Sequence, residues 1–229
     1  MRIHFLQHAT FEGPAYLETL ARANGAALTG SHVYAGEKLP DAAGIDLLAV
    51  LGGPMGVHDE AEHPWLTGEK RFIGKVIDSG AAVVGVCLGA QLIAEVMGAR
   101  VYRNPHREIG WFPVTSETGA RTSRVGRSFP DEFMAFHWHG DTFELPAGAV
   151  HLVRSAACAN QAFIAEDRIL GLQFHLEVTP ASIRILHENC RSDIDGSRFV
   201  QGVEEILNTA HIDGCNRLFE KIFARLIRP

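Results

Sequence analysis

Three absences limit what this sequence can be. No apolar run reaches the length of about eighteen residues that a membrane-spanning helix needs. The first residues lack the long apolar stretch and the small-residue cleavage site of a secretory signal. Basic residues are too few for a broad nucleic-acid or anionic-membrane surface, since 21 Lys and Arg stand against 27 Asp and Glu, a formal net charge of −6. We therefore expect a cytoplasmic protein that binds neither nucleic acids nor membranes.

Cysteines are also scarce, and their spacing is informative. Cys87, Cys158, Cys190 and Cys215 form no Cys-x-x-Cys pair and indicate neither a disulfide framework nor a zinc knuckle. In a reducing compartment the default for such a residue is a buried free thiol. Cys87 departs from that default, because it lies between two glycines where an apolar run meets a helical pattern.

Apolar runs alternate with helical patterns through the first hundred residues. Leu47–Leu51 is a continuous apolar run closed by two glycines and a proline, as is typical of a strand buried on both faces. The same reasoning predicts strands at Arg2–Gln7, Ser31–Tyr34 and Ala82–Val86, and helices at Pro14–Asn24, at Trp65–Ser79 and from about Gly89. Such alternation predicts an α/β fold with a doubly wound, mostly parallel sheet flanked by helices.

Beyond residue 100 the strands become shorter and turns separate them more often. We predict strands at Gly110–Val114, Phe133–Phe136, His151–Ser155, Gln161–Ile164 and Ile169–His175, which either extend the same sheet or form a β-ribbon beside it. The pattern from Pro180 onward is helical. No convincing boundary interrupts the chain, so we expect a single domain over residues 1–229, with 181–229 as a helical C-terminal extension.

The stretch Gly85-Val86-Cys87-Leu88-Gly89 predicts an exposed nucleophile. A G-x-C-x-G turn between a strand and a helix has the geometry of a nucleophile elbow, where larger side chains in place of the glycines would collide with neighbouring backbone. Cys87 would also lie at the amino-terminal end of the following helix, which favours a thiolate. The alternative for this motif alone is a packed structural cysteine.

A second polar group follows an apolar run at Gly171–His175. His175 and Glu177 are two residues apart, so in an extended chain both side chains point to one face and the carboxylate reaches the imidazole. The pairing orients the ring and leaves its other nitrogen free to face a thiol, which is the logic of a triad in the order Cys, His, Glu. A surface histidine with a chance acidic neighbour is the alternative. The triad is favoured because both halves fall at predicted strand ends, where α/β sheets bind ligands.

Two further segments offer polar groups of other kinds. The glycine-rich turn after Leu47–Leu51 can present a backbone N–H to a developing oxyanion, together with that of Leu88, although a plain tight turn is the alternative. It is not a phosphate loop, because the GK[ST] ending is absent. His137 and His139 alternate onto one strand face and form a workable pair of metal ligands. No third or fourth ligand is evident near them, so we expect neither a metal nor a cofactor.

Five motifs together resemble the class I (triad) glutamine amidotransferases. They are LGGPMG at 51–56, GVCLGAQL at 85–92, REIGW at 107–111, HGD at 139–141 and GLQFHLEVTP at 171–180. With the strands before them they span about residues 47 to 180, in the family's order and spacing. The similarity is greatest to the glutaminase domain of GMP synthetase and to free-standing members of that group, including γ-glutamyl peptidases. The resemblance implies a flavodoxin-like fold and hydrolysis of a γ-glutamyl amide through a thioester to cysteine.

The resemblance also implies a role for each residue that matches a family motif. Cys87 matches the nucleophile, His175 the general base and acid, and Glu177 the group that orients the histidine. The oxyanion donors match the backbone N–H groups of Gly53 and Leu88, with Gly52 as the substitute for Gly53. The substrate contacts match Gln91, beside the pocket for the glutamine side chain, and His139 and Asp141, at the α-amino and carboxyl end.

Two positions depart from the family pattern. Leu176 stands where the family commonly has proline between the catalytic His and Glu, which loosens the backbone but keeps the i, i+2 spacing. Trp138 stands where a small polar residue is common, and we expect it to narrow or reshape the substrate end. The helical residues 181–229 exceed what a bare glutaminase domain needs. We expect them to lie over the site or to form an interface, such as that of a homodimer.

These features predict a thiol amidohydrolase that acts on glutamine or a γ-glutamyl compound. Two versions stay open: a glutaminase subunit that hands ammonia to a separate synthetase, and a free hydrolase of γ-glutamyl amides or peptides. No synthetase domain is recognised in the 229 residues, which favours the second version. One alternative is a non-catalytic or partner-activated subunit of the same fold. Another is a cysteine-elbow redox or protein-repair enzyme, which the H-x-E segment disfavours.

Overall fold

The computed structural model of the chain describes residues 1–227, and the architecture is that of those residues. The strands are β1 (Arg2–Gln7), β2 (Ala27–His32), β3 (Leu47–Val50), β4 (Ala82–Val86), β5 (Val101–Ser116), β6 (Glu132–Phe143), β7 (Val150–Ser155), β8 (Ala162–Ala165) and β9 (Ile169–Leu172). The helices are α1 (Tyr16–Ala23), α2 (Trp65–Asp78), α3 (Leu88–Val96), α4 (Pro180–Asn189), α5 (Val203–Ile206) and α6 (Ile212–Leu226). The nine strands of this part of the chain form one sheet in the order β2-β1-β3-β4-β9-β8-β7-β5-β6.

One half of the sheet is parallel and doubly wound. β1 pairs with β2 and β3, β3 with β4, and β4 with β9, all in parallel. Helices cover both faces, since α1, α4 and α6 contribute to one hydrophobic cluster and α2 and α3 to the other. The predicted α/β fold is therefore confirmed. Because the strands are parallel, the carboxyl ends of β1, β3, β4 and β9 meet at one edge, where open α/β sheets bind ligands.

The other half of the sheet is antiparallel. β9 pairs with β8, β8 with β7, β7 with β5 and β5 with β6, all antiparallel. The later strands thus extend the same sheet, and the long β5–β6 pair forms a ribbon at its edge. Continuity of this sheet supports the prediction of a single domain, which stays a prediction.

Four strands differ from their predicted bounds by more than a residue. β5 and β6 extend well beyond the predicted Gly110–Val114 and Phe133–Phe136, and β2 and β9 lie partly elsewhere. β2 covers Ala27–His32 rather than Ser31–Tyr34, and Val33–Ala35 forms a 3₁₀ turn. In the described sheet β2 is an edge strand, which needs no continuous apolar run and so shows a weak sequence signal. β9 ends at Leu172 rather than at His175, because the chain there leaves β4. The backbone N–H of His175 instead donates to Phe136 O of β6.

The helical extension packs against the ribbon. Trp111 of β5 donates from Nε1 to Ile206 O, and its backbone exchanges two hydrogen bonds with the side chain of Gln201. Leu218, Phe219, Ile222 and Phe223 of α6 are buried in the same hydrophobic cluster as β6 and β9. Within residues 1–227, none of the helices combines the length and the apolar character that crossing a bilayer requires.

Candidate functional site

The turn between β4 and α3 presents Cys87 in a strained conformation. Cys87 has φ 53° and ψ −111°, a backbone conformation that residues other than glycine rarely adopt. A Cβ on Gly89 would lie 1.9 Å from Val50 O, and one on Gly85 would lie 2.4 Å from Gly89 O. Glycine at both positions therefore allows α3 to approach the sheet closely enough to form the predicted elbow.

Cys87 lies on the wall of a cavity of about 500 Å³ at the carboxyl edge of the parallel strands. The exposed thiol that the sequence predicts is not found: the cysteine is only 7% exposed and borders the cavity from within the fold, with its Sγ 3.5 Å from Trp138 O. His175 lines the same cavity, near enough for the Cys87 thiol to raise the pKa of its imidazole. The structure thus brings together two residues that are 88 positions apart in the sequence.

His175 and Glu177 form the predicted pair. Nδ1 of His175 is 2.6 Å from Oε1 of Glu177, so the i, i+2 geometry holds with Leu176 between them. Burial lowers the pKa of His175, but the Glu177 carboxylate and the nearby Cys87 thiol outweigh it and raise the pKa well above its ordinary value. The imidazole therefore carries a carboxylate on one side and shares the cavity wall with the thiol.

Hydrogen bonds from two helices fix this segment. Asn216 of α6 donates from Nδ2 to the carbonyls of Leu176 and Val178, at 2.9 and 3.0 Å. The backbone N–H of Tyr16 donates to Glu177 O. These contacts limit the movement of Glu177 where the family's proline is missing.

The two expected oxyanion donors both line the cavity. Leu88 is the first residue of α3, where backbone N–H groups have no acceptor within the helix. Gly53 follows β3 and is tightly packed, since a Cβ there would lie within 2.8 Å of His8 and Leu88. Gly52 lines a smaller neighbouring cavity, and its Cα faces Glu12. Gly53 is thus better placed than Gly52 as the expected oxyanion donor, because it lines the cavity that contains Cys87.

The expected substrate contacts also lie in the cavity wall. Gln91 is buried and donates from Nε2 to Oε1 of Gln173 at 3.1 Å. Asp141 lies 3.5 Å from Nη1 of Arg103, so an acid and a base stand together at the cavity wall. Such a pair is suited to a zwitterionic α-amino acid group.

His139 lines the cavity but is also part of a buried polar cluster. Its Nε2 is 3.3 Å from Oε2 of Glu108, and Nδ1 of His137 is 3.5 Å from the same oxygen. With His137 and His139, Glu108 makes a group of three possible metal ligands, and sequence reasoning missed this third member. However, Oε2 of Glu108 already accepts hydrogen bonds from Gln161 Nε2 at 2.6 Å and Ser155 Oγ at 3.0 Å. These donors occupy the space around the oxygen that a bound cation would need. We interpret the cluster as a hydrogen-bonded support of the β5–β6 ribbon, and the expectation of no metal stays a prediction.

The segment that follows α4 forms one wall of the cavity. Trp138 donates from Nε1 to Oδ2 of Asp193 at 3.1 Å, and Arg107 donates from Nη1 to Asp193 O. From this segment Cys190, Ser192 and Asp193 line the cavity, together with Leu186 and Asn189 of α4. The first part of the helical extension thus borders the cavity, and Trp138 contacts it through Asp193. That the extension lies over the site, and that Trp138 narrows or reshapes the substrate end, stay predictions.

Sequence reasoning missed an acidic residue near His175. Glu12 lines the cavity, and its Oε2 would be 2.3 Å from a Cβ on Gly52. Burial raises the pKa of Glu12, while His175 and His8 oppose the rise. Its position in the loop after β1, a strand whose carboxyl end meets the predicted site, is the signal that could have found it.

Comparisons with known proteins agree with this geometry. The sequence profile of the family described as glutamine amidotransferase class-I matches residues 18–189. The chain is similar to the glutamine amidotransferase-like protein YfeJ of Salmonella typhimurium, with 34% identity over 214 residues, 90% of this chain and 89% of that protein. It is also similar to the glutamine-hydrolyzing GMP synthase of Thermomicrobium roseum, with 38% identity over 142 residues, 61% of this chain and 25% of the synthase. The chain therefore matches about a quarter of that relative's length.

A solved structure extends the agreement to the whole fold. The crystal structure of a glutamine amidotransferase from Thermotoga maritima has a TM-score of 0.90 to this chain at 29% identity, and the match covers 100% of this chain and 99% of that one. Family motifs, fold and cavity all coincide at the edge where Cys87 lies. The chain belongs to the class I glutamine amidotransferase family.

Proposed function

We propose that the protein is a thiol amidohydrolase that cleaves the γ-amide of glutamine or of a γ-glutamyl compound through a cysteinyl thioester. The observation that carries this proposal is that Cys87 and His175 line one cavity, with Nδ1 of His175 2.6 Å from Oε1 of Glu177. Cys87 and His175 line one cavity, and Glu177 lines the smaller cavity beside it, which His175 also borders. A nucleophile, a base and an orienting acid in that order are the groups that acyl transfer requires.

The reaction follows from these contacts. Cys87 gives its proton to His175 and attacks the γ-carbonyl, and the resulting oxyanion accepts hydrogen bonds from the N–H groups of Gly53 and Leu88. His175 then protonates the leaving ammonia or amine as the carbon–nitrogen bond breaks, which leaves a thioester on Cys87. Water, deprotonated by His175, attacks the thioester and releases glutamate and the free thiol. Glu177 holds the ring and stabilises its protonated form.

Three further residues are proposed to hold the glutamyl end. Gln91 provides an amide group beside the reacting carbonyl, and Gln173 accepts a hydrogen bond from its Nε2. Asp141 suits the α-ammonium group and Arg103 the α-carboxylate, because they stand 3.5 Å apart in the same cavity wall. His139 supports this wall through its hydrogen-bonding contact with Asp141 O.

The size of the cavity favours a leaving group larger than ammonia. A volume of about 500 Å³ lies in the range of ~300–1,000 Å³ that is typical of pockets for drug-sized ligands, and glutamine alone does not need it. The wall that includes Asp193 adjoins Trp138, and we propose that it contacts the leaving group. We therefore place a free hydrolase of γ-glutamyl amides or peptides first.

The second candidate is a glutaminase subunit, active alone or only with its partner, that supplies ammonia to a separate synthetase. The similarity to the glutamine-hydrolyzing GMP synthase of Thermomicrobium roseum favours it. In that case the face around the cavity mouth would bind the synthetase, and activity alone would be low.

One experiment tests the proposal and separates the candidates. The purified protein and its Cys87→Ala variant are incubated with L-glutamine and with a panel of γ-glutamyl amides and peptides, and released glutamate is measured. We expect turnover that depends on Cys87 and is faster with the amides and peptides than with glutamine. Preference for glutamine would favour the synthetase subunit. Turnover no higher than that of the variant, for every substrate, would contradict the free hydrolase.

A further inference from the structure

A buried ion pair lies directly behind the predicted oxyanion turn, and the reaction above does not use it. His8 follows β1, and its Nε2 is 2.7 Å from Oε1 of Glu69 in α2, with both side chains 0% exposed. Its Nδ1 is 2.9 Å from Gly52 O, and its ring stacks on Trp65. A buried pair of this kind is costly to desolvate, so its presence next to the site calls for a physical reason.

The protonation of His8 matches its two partners. Burial lowers the pKa of His8, but Glu69 and the hydrogen bond to Gly52 O outweigh it and raise the pKa above the ordinary value. The protonated ring carries a hydrogen on each nitrogen. One is donated to the carboxylate and the other to the carbonyl, so both acceptors are satisfied at once.

The hydrogen bond to Gly52 O sets the direction of the next N–H. None of the described peptide bonds is cis, and in a trans peptide the carbonyl and the N–H point in opposite directions. With Gly52 O held towards His8, the N–H of Gly53 points away from His8. Gly53 is in contact with Leu88, and both residues line the cavity.

A glycine–glycine peptide needs such a restraint more than others do. Glycine adopts many backbone conformations at little cost, so the Gly52–Gly53 peptide can rotate with little steric opposition of its own. Rotated by half a turn, it would direct a carbonyl oxygen towards the oxyanion and repel it. The restraint therefore decides whether the turn assists or opposes the reaction.

We propose that His8, oriented by Glu69, is a positioning residue that holds the Gly52–Gly53 peptide with its N–H directed at the oxyanion. This inference rests on the proposed hydrolysis at Cys87. His8 contacts no reacting atom. Its effect should appear in the transition state, where the oxyanion forms, and not in substrate binding.

The test compares a His8→Phe variant with a His4→Phe variant. Phenylalanine keeps a ring against Trp65 but donates no hydrogen bond. His4 is a matched control, because it is a buried histidine of β1 whose ring nitrogens contact Thr29 and Ser31, away from the cavity. A His8→Asn variant tests rescue, since its amide can donate to Gly52 O.

We expect kcat for the best γ-glutamyl substrate to fall about 10–100-fold in His8→Phe, with KM within about threefold, since a displaced oxyanion donor acts on the transition state. His4→Phe should keep the wild-type kcat, and His8→Asn should recover most of the loss. Alkylation of Cys87 by iodoacetamide should stay within about twofold of wild type in every variant. That reaction displaces iodide from carbon and forms no oxyanion, so a general collapse of the site would slow it whereas a misplaced donor would not.

Because Glu69 would be left buried without its partner, His8→Phe can fail to fold. The double variant His8→Phe/Glu69→Met then replaces it, since exchanging both members of a buried pair for apolar residues of similar size is often neutral for stability. A folded variant whose kcat stays within about twofold of wild type would overturn the inference, as would a parallel loss of alkylation and hydrolysis.

The same data distinguish a failure of the proposed function. If the wild type releases no glutamate in a Cys87-dependent manner, the hydrolysis proposal fails, and the role of His8 fails with it. If the wild type is active and only the His8 comparison fails, the hydrolysis proposal stands.

Discussion

Replacing Glu177 with glutamine removes a negative charge from beside His175 and keeps the size of the side chain. The carboxylate is 2.6 Å from Nδ1 and the glutamate side chain is 12% exposed, so water screens the interaction only in part. Two unit charges about 4 Å apart interact by about 4 kcal/mol at an effective dielectric constant of about 20. A glutamine that still accepts a hydrogen bond from Nδ1 returns about 1 kcal/mol. The protonated histidine should therefore lose roughly 3 kcal/mol, or about 10²-fold in kcat/KM.

The change also has a direction on the pH axis. Glu177 raises the pKa of His175, so its replacement should lower that pKa, and the histidine should lose its proton at lower pH. Because the protonated ring is needed to release the amine, the alkaline limb of the pH profile of kcat/KM should move to lower pH.

The assay is glutamate release from the preferred γ-glutamyl substrate across a pH series, for wild type, Glu177→Gln and a control. Glu204→Gln is the matched control, since Glu204 is exposed in α5 and should leave the rate unchanged. Glu177→Gln activity within about threefold of wild type, with an unmoved alkaline limb, would refute the assignment of Glu177 as the orienting acid.

Three other perturbations have outcomes that follow from single contacts. Asn216→Leu removes two hydrogen bonds to the backbone around Glu177, so we expect the free energy of unfolding to fall by about 1–3 kcal/mol and turnover to fall about tenfold. Unchanged turnover would contradict the proposed support of the triad. Gly89→Ala places a Cβ 1.9 Å from Val50 O, so we expect the free energy of unfolding to fall by about 1–3 kcal/mol or more and Cys87 to be alkylated more slowly. Wild-type stability would contradict the packing at this turn. At pH 8, iodoacetamide should modify Cys87 first, because burial raises the pKa of the other thiols to about 11 in Cys158 and about 12 in Cys190 and Cys215. Equal labelling of all four cysteines, measured by peptide mass mapping, would contradict this expectation.

The strands of the parallel half were predictable because both of their faces are covered. β1, β3 and β4 lie within a residue of their predicted bounds, since a strand buried on two sides needs a continuous apolar run. The edge strand β2 has no such requirement, and its prediction was wrong by several residues. The β5–β6 ribbon is longer than predicted. Its length is decided by cross-strand pairing of β5 residues Val101 to Thr115 with β6, and this pairing produces no pattern in the sequence of either strand.

Residues of the site were predictable where neighbours in sequence make the geometry. The glycines around Cys87 and the spacing of His175 and Glu177 act over a few residues, so their side-chain arrangement follows from the strand and the turn. The residues that were missed join distant parts of the chain. Glu12 reaches the site from the loop after β1, and Gln173 contacts Gln91 across 82 positions.

The sequence alone therefore determined the α/β fold and the chemical types at the site: a thiol on a glycine turn, a histidine–glutamate pair and a glycine-rich turn after a buried strand. Only the tertiary structure decided which groups support them. His8 lies 61 positions from Glu69, and Trp138 lies 55 positions from Asp193, so no local pattern could pair them. The physical reason is that backbone sterics and hydrophobic periodicity act over a few residues, whereas buried hydrogen bonds are made by whichever polar groups the packed sheet and helices bring within reach.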